Sequence, residues 1–415
     1  MDLCYQEAQP LLPLAAALAQ ITAAVCPIAE TETVSLKTAL GRVLAEPVTA
    51  LINSPQQRNA AMDGYAFASQ DWRQGQAFSL ALIGTSWAGR PFSGELVPGQ
   101  CIRIFTGAVL PDGADSVVMQ EQVQTDGQSV QFPDTTKPCQ HVRNIGEDLQ
   151  QGSIILAPPK KLTAIDLAFL ASAGVSTVAV KRRLKIGFFS TGDELVELGL
   201  PLQSGQIYDS NRYALSGLLA DAAYEAVDLG IIADDPELLE ARFRQAAQDY
   251  DAIITTGGAS VGDADYVKDI LARCGSVTFW KLAIKPGKPL AFGNIGQCLF
   301  FGLPGNPVAV MVTFQYLVAP ALRQLSGLPD RPALTLKASC ASTLKKAPGR
   351  LEFQRGILSQ NEDGGLTVCS SGAQGSNILS TLSHANCYII LPADSTGAAV
   401  GDQVTVGLID NTPLN

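Results

Sequence analysis

Between residues 184 and 328, short apolar runs alternate with longer amphipathic ones, and this alternation constrains the fold more than any other feature. LKIGFFS (184–190), AVDLGIIA (226–233), DAIITTG (251–257), VTFWKLAI (277–284) and CLFFG (298–302) have the length and the β-branched and aromatic content of buried strands. Helical patterns fall at 211–223, 236–248, 264–274 and 307–325. Strands and helices at this spacing predict a doubly wound, mostly parallel sheet. A hairpin-like PGKPLAFG follows the fourth strand.

The flanking regions read differently. Residues 54–140 are short β-type runs cut by Gly, Pro and Asp turns, a small β-domain set into the chain. Residues 1–53 and 141–183 form the discontinuous mixed α/β domain around it, with helices expected at 12–30 and 164–173. Residues 329–415 alternate strands and turns and predict a C-terminal, barrel-like β-domain. The α/β domain itself takes 184–328. A chain of 415 residues has room for several cores at roughly 150 residues each.

Charge and rare residues narrow the function. Lys and Arg number 29 against 39 Asp and Glu, a net charge of −10 that argues against a general nucleic-acid binder. A local cluster of lysines could still hold a small anion. Only two histidines are present, His141 and His384, so a His-rich zinc site or a histidine triad is not expected. Nine cysteines without a CxxC pair suit a reducing compartment. Met1 to Pro10 carries Asp2 and Glu7 and no basic residue, so a signal segment is not expected. Nor is there a run of about 18 uncharged apolar residues. The expected setting is cytoplasmic, without membrane attachment.

In open α/β sheets, ligands bind beyond the carboxyl ends of the strands. Five loops fall at that edge: STGDEL (190–195), DDP (234–236), TTGGASVGDADY (255–266), KLAIKPGK (281–288) and LPGNP (303–307). Gly257, Gly258 and Gly305 would let backbone N–H groups face a phosphate beside helix N-termini. Lys281, Lys285 and Lys288 supply three cations within eight residues. On one extended strand Lys281 and Lys285 would point to the same side. Glu194, Asp234, Asp263 and Asp265 offer oxygens for a hard cation such as Mg²⁺. Taken singly, each loop has a structural explanation. Asp234 or Asp235 before Pro236 could be an N-cap, Asp193 and Glu194 could complement a helix start, and Gly257–Gly258 could be a tight turn. Their shared edge favours a nucleotide-like substrate with magnesium and chemistry by positioning and electrostatics. Outside this region, Asp63, Thr106, Arg355 and Ser376 stand out, although an ordinary turn or surface role would also account for each.

In this order, AMDGYA (61–66), RIFTGAVLPDGADSVVMQE (103–121), RNIGEDL (143–149), STGDEL, GQIYDSNRY (205–213), TTGGASVGDADY, FWKLAIKPGKP (279–289), GLPGNP (302–307) and GRLEFQRG (349–356) resemble the MoeA/gephyrin E-domain family of molybdopterin molybdenumtransferases. The resemblance implies four domains, an elongated homodimer, and insertion of molybdate into adenylylated molybdopterin with release of AMP, magnesium or a similar divalent cation assisting. It also implies partners: the adenylyltransferase that makes the substrate and the proteins that accept the cofactor. It assigns catalytic roles to Asp63, Thr106, Glu194, Asp234, Asp265, Lys281 and Lys285, with Glu194, Asp234 and Asp265 at the metal. For substrate binding the expected set is Asp148, Gly257, Gly258, Ser260, Lys288, Pro304, Gly305, Asn306, Pro307, Arg355 and Ser376. Asp63 and Thr106 would come from the partner subunit. Ala61 stands where Ser is common, and DSNR replaces the more usual DTNR. The long linker of a gephyrin fusion is absent, which favours a stand-alone enzyme over a scaffold. A tungstate-specific transferase would look the same. A general nucleotide hydrolase of this class would bind AMP-containing ligands without depending on molybdate.

Overall fold

The computed structural model describes residues 11–233, 235–257 and 265–409, with side chains except at 265–269 and 279. Its centre is a six-stranded sheet whose order in space is Tyr224–Ile232, Leu184–Thr191, Ala252–Thr256, Cys298–Leu303, Pro289–Ile295 and Ser276–Lys281. The first four strands pair in parallel, and Pro289–Ile295 pairs antiparallel with both of its neighbours. Residues 282–288 are too few for a parallel crossover, so the chain turns back and antiparallel pairing follows. Strand order reverses between Leu184–Thr191 and Ala252–Thr256, which puts a switch-point crevice beyond their carboxyl ends.

Both faces of this sheet are covered, which is why its strands are continuous apolar runs. Alternate residues serve opposite cores. Ile186, Phe188, Ile254, Leu299 and Phe301 enter the larger core, whereas Phe189, Ile253, Cys298 and Phe300 enter the smaller one. The larger core also takes Ala17 and Ile21 of the helix Leu14–Ala24, along with Phe353 and Tyr388 of the C-terminal region. The expected first helix is therefore shorter than 12–30 and packs on the α/β region. Leu12 donates to the Lys281 carbonyl and accepts from Ala283, both at 2.8 Å.

At the heart of the larger core, the predicted helix 307–325 runs as α-helix Pro307–Thr313, a π turn Phe314–Val318 and α-helix Ala319–Leu325. Pro320 explains the change of winding. It has no N–H to donate and its ring would strike the preceding turn, so the helix widens just before it. By length and composition this helix could cross a bilayer, but Val308, Val310, Val312, Leu317 and Leu322 are wholly enclosed by protein.

Strands Thr31–Ser35, Thr177–Lys181, Val43–Leu44 and Lys160–Lys161 form one antiparallel sheet from two distant stretches of chain. Between those stretches, Ser116–Met119, Gly64–Phe67, Gln100–Ile104, Phe78–Ser86, Ser129–Phe132 and Gln124–Thr125 make a separate six-stranded sheet. In the C-terminal region, Leu351–Gln360, Leu366–Ser370, Thr335–Cys340, Gln403–Leu408 and Cys387–Leu391 close into a barrel, the last pairing back with the first.

One local expectation fails. The run 277–284 is not a single strand, and Lys281 and Lys285 do not share a strand face. Lys281 ends the strand Ser276–Lys281. After a bridge from Leu282 to Leu12, Ile284–Lys285 pairs in parallel with Leu351 and Glu352 of the barrel.

Candidate functional site

A cleft of about 1090 Å³ lies between the carboxyl edge of the central sheet and the barrel. From the sheet side come Glu194, the stretch 285–289 and the stretch 304–306; from the barrel come Lys345, Arg350, Glu352 and Ser376, among others. Four cations, Lys285, Lys288, Lys345 and Arg350, face two carboxylates, Glu194 and Glu352. In a chain with ten surplus negative charges, cations thus outnumber carboxylates among the described residues that line this cleft. Such a cleft concentrates anions.

Lys285 is fixed by its register. Strand pairing sets it opposite Glu352, and its Nζ lies 3.2 Å from Glu352 Oε1. The Glu352 side chain is 5% exposed and that of Lys285 46%, so the carboxylate anchors the lysine while the ammonium still meets solvent. Gln354 Nε2 donates to the same oxygen at 3.0 Å. Lys288 is exposed on the turn after Gly287, and its carbonyl accepts from Leu282 N–H.

Glu194 stands on the loop after the first strand of the sheet. Arg212, buried, secures this loop by pairing at once with Glu197, Asp209 and Asp228. Gly257 ends the neighbouring strand at φ +84°, where a Cβ would lie 2.2 Å from the Thr191 carbonyl oxygen. Only glycine lets the two loops of the switch point approach so closely. Pro304, Gly305 and Asn306 line the cleft just before Pro307 starts its helix. Asn306 makes no side-chain cap, which leaves its amide for the cleft. The Gly305 carbonyl accepts from Asn211 Nδ2 at 2.7 Å, and the Ser376 carbonyl accepts from Val308 N–H at 3.3 Å.

Two expectations are corrected. Lys281 is exposed but does not line the cleft, because the chain leaves the sheet edge at Leu282 to pair with Leu12. Arg355 is fully buried and is not an open anion ligand. Its guanidinium donates to the carbonyls of Ala373, Gln374 and Gly375 and to Thr381 Oγ1. It thereby shapes the loop that presents Ser376, and burial lowers its pKa from the ordinary arginine value. The expected carboxylate cluster falls largely outside the described residues. Among the described residues no three His, Cys, Asp or Glu side chains gather as a metal site requires. Glu194 alone does not make one. Asp234, Gly258, Ser260 and the side chain of Asp265 lie outside the described residues.

Asp63 and Thr106 meet each other, away from the cleft lining of their own chain. Thr106 N–H and Oγ1 both donate to Asp63 Oδ1, and these two bonds, the backbone one first, hold the Asp63 pKa below the usual carboxylate value. Asp148 is exposed, with its N–H on the Ser54 carbonyl, and is likewise absent from the cleft lining. Sequence reading missed Lys345, Arg350 and Glu352. The available signal was the pair of basic residues flanking a Pro-Gly turn in KKAPGR, which reads as a hairpin until the barrel folds it against the sheet edge.

A cleft lined by lysines and an arginine at an α/β switch point, closed on its far side by a β-barrel, marks a multidomain protein with a site suited to an anion. The chain belongs to the MoeA family. Residues 12–174 match the MoeA N-terminal region (domain I and II), 187–324 the "Probable molybdopterin binding domain", and 337–409 the MoeA C-terminal region (domain IV). The molybdopterin molybdenumtransferase of Haemophilus influenzae is 44% identical over 380 residues, 91% of this chain and 93% of that protein. The protein of the same name from a Nostoc species is 38% identical over 385 residues, 91% and 88% of the two chains. Among solved structures, the molybdopterin biosynthesis moeA protein of Pyrococcus horikoshii matches with a TM-score of 0.82 at 30% identity, covering 96% of this chain and 100% of that one.

Proposed function

We infer that this chain is a molybdopterin molybdenumtransferase, inserting molybdate into adenylylated molybdopterin with release of AMP. The observation that carries the reading is the cleft, which holds four cations in an acidic chain whose relatives bear this name. Both substrates are anions, one with a pyrophosphate link and one an oxyanion. Lys285 and Lys288 from the sheet side, with Arg350 and Lys345 from the barrel, can hold them across the cleft. Asn306 and the Ser376 loop supply neutral hydrogen-bonding groups beside them. No soft protein ligand is required, because the substrate's dithiolene sulfurs take the molybdenum.

A divalent cation such as magnesium belongs to the proposal, resting on Glu194 with Asp234 and Asp265. So does a homodimer, in which Asp63 and Thr106 of one subunit serve the cleft of the other. The adenylyltransferase and the cofactor-accepting proteins are its proposed protein partners. A cytoplasmic setting agrees with eight described cysteines that are all free. The deciding assay is AMP release from adenylylated molybdopterin with and without molybdate. Release that needs molybdate supports the transferase, and release indifferent to it supports a nucleotide hydrolase. Tungstate in place of molybdate reports oxyanion preference. EDTA should stop release and added magnesium restore it. Mixed Asp63→Ala and Lys285→Ala chains should regain partial activity, and no regain in confirmed heterodimers overturns the shared site.

A further inference from the structure

Beside Asp63 and Thr106 the six-stranded sheet of residues 64–132 carries an aromatic column that ends in solvent. The Arg103 guanidinium sits 5.0 Å from the Tyr65 ring centroid and 4.8 Å from that of Phe105. Phe105 in turn stacks on Trp87, with centroids 4.1 Å apart and planes within 13°. Trp87 is nevertheless 50% exposed. Its position is rigid, since Trp87 and Arg90 exchange two backbone hydrogen bonds of 3.0 Å across the two-residue turn Ala88–Gly89. That turn pairs the backbone of Trp87 with that of Arg90, an exposed cation without an ion pair among the described residues. Packing alone does not call for this arrangement, because a smaller side chain would cover Phe105 without leaving half an indole in water.

The column is tied to the Asp63–Thr106 pair through the chain itself. Thr106 follows Phe105, and Asp63 precedes the Gly64–Phe67 strand that carries Tyr65. A flat aromatic surface beside a cation is suited to a planar nitrogen heterocycle bearing a phosphate. We propose that Trp87, with Arg90, is a stacking platform for such a heterocycle of the substrate, seating it against the edge that Asp63 and Thr106 define. The proposal rests on the transferase reading, whose substrate has two rings of this kind, adenine and pterin.

The test compares wild type, Trp87→Phe, Trp87→Leu and Arg90→Gln in the intact protein. Calorimetric titration with AMP, ribose 5-phosphate and biopterin separates ring from phosphate, and adenine from pterin. Trp87→Leu should weaken the ring-bearing probe that uses the platform by about five- to 150-fold, the range of one base–aromatic stack. Trp87→Phe should fall between, ribose 5-phosphate should be unaffected by either, and Arg90→Gln should weaken AMP and ribose 5-phosphate alike. With adenylylated molybdopterin, Trp87→Leu should raise KM by a similar factor at nearly constant kcat. Unchanged affinities and unchanged KM in Trp87→Leu overturn the platform. If wild type releases no AMP at all, the transferase reading fails instead, and the AMP and biopterin titrations still judge Trp87.

Discussion

Asp63 and Thr106 are 43 positions apart in sequence and are joined by two hydrogen bonds of 2.7 Å, both ending on Asp63 Oδ1. The contact keeps an accessible carboxylate ionised and aimed. Its larger part is the backbone N–H of Thr106, which no side-chain replacement removes.

This makes a graded prediction. A carboxyl whose folded pKa is lowered keeps its charged form above that pKa and loses it as pH falls through it. Thr106→Val removes the weaker of the two bonds. The Asp63 pKa should rise part of the way back toward 3.8, followed by carbon-13 NMR of the carboxyl through acid titration. The acidic limb of the activity profile should move up with it. An unmoved titration would show that the hydroxyl contributes nothing.

Lys285 and Glu352 separate charge placement from folding. Lys285→Ala should cut molybdate-dependent AMP release by at least about a hundredfold, since a cleft cation is lost. It also leaves buried Glu352 with Gln354 as its remaining partner, at a cost of about 1–2 kcal/mol once the half-exposed lysine is discounted for solvent. Lys285→Ala combined with Glu352→Gln should recover the thermal midpoint and none of the activity. Recovery of both would make Lys285 a packing residue.

Arg355 acts through the loop it holds. Its guanidinium is fully enclosed and bonded to three carbonyls and a hydroxyl. Arg355→Met strips those acceptors at once and should destabilise the barrel by about 3 kcal/mol or more. Amides at 373–376 should exchange with deuterium much faster, while the central sheet keeps its protection. Equal acceleration everywhere would mean that the arginine supports the whole fold.

Two glycines at the sheet edge, Gly257 at the switch point and Gly305 in the cleft lining, should answer differently to alanine. Gly257 has φ +84° and no room beside the Thr191 carbonyl, so Gly257→Ala must open the switch point. Activity should fall at least about tenfold, with a lower melting temperature. At Gly305 no heavy atom lies within 4 Å of where a Cβ would sit, so Gly305→Ala should fold normally. A stable, active Gly257→Ala protein would contradict the close approach of these loops.

The central sheet was legible in the sequence because both its faces are buried: a strand enclosed on both sides must be apolar throughout, and the helices between such strands must carry one polar face. The antiparallel turn at 282–288 was less legible, since VTFWKLAI reads as one strand until Leu282 is claimed by Leu12 and Ile284–Lys285 by the barrel. Arg355 shows the same limit. Its place in GRLEFQRG marks it as important, but only the fold shows whether a guanidinium faces a ligand or three carbonyls.

What the sequence alone determined was local and periodic: the βα alternation, the turn glycines, the loops at one sheet edge, and the Asp63 and Thr106 motifs. The tertiary structure decided which charges share a space. Lys345 and Arg350 reach the cleft and Lys281 does not, because cleft membership depends on strand pairings between segments far apart in the chain, and periodicity carries no information about those pairings.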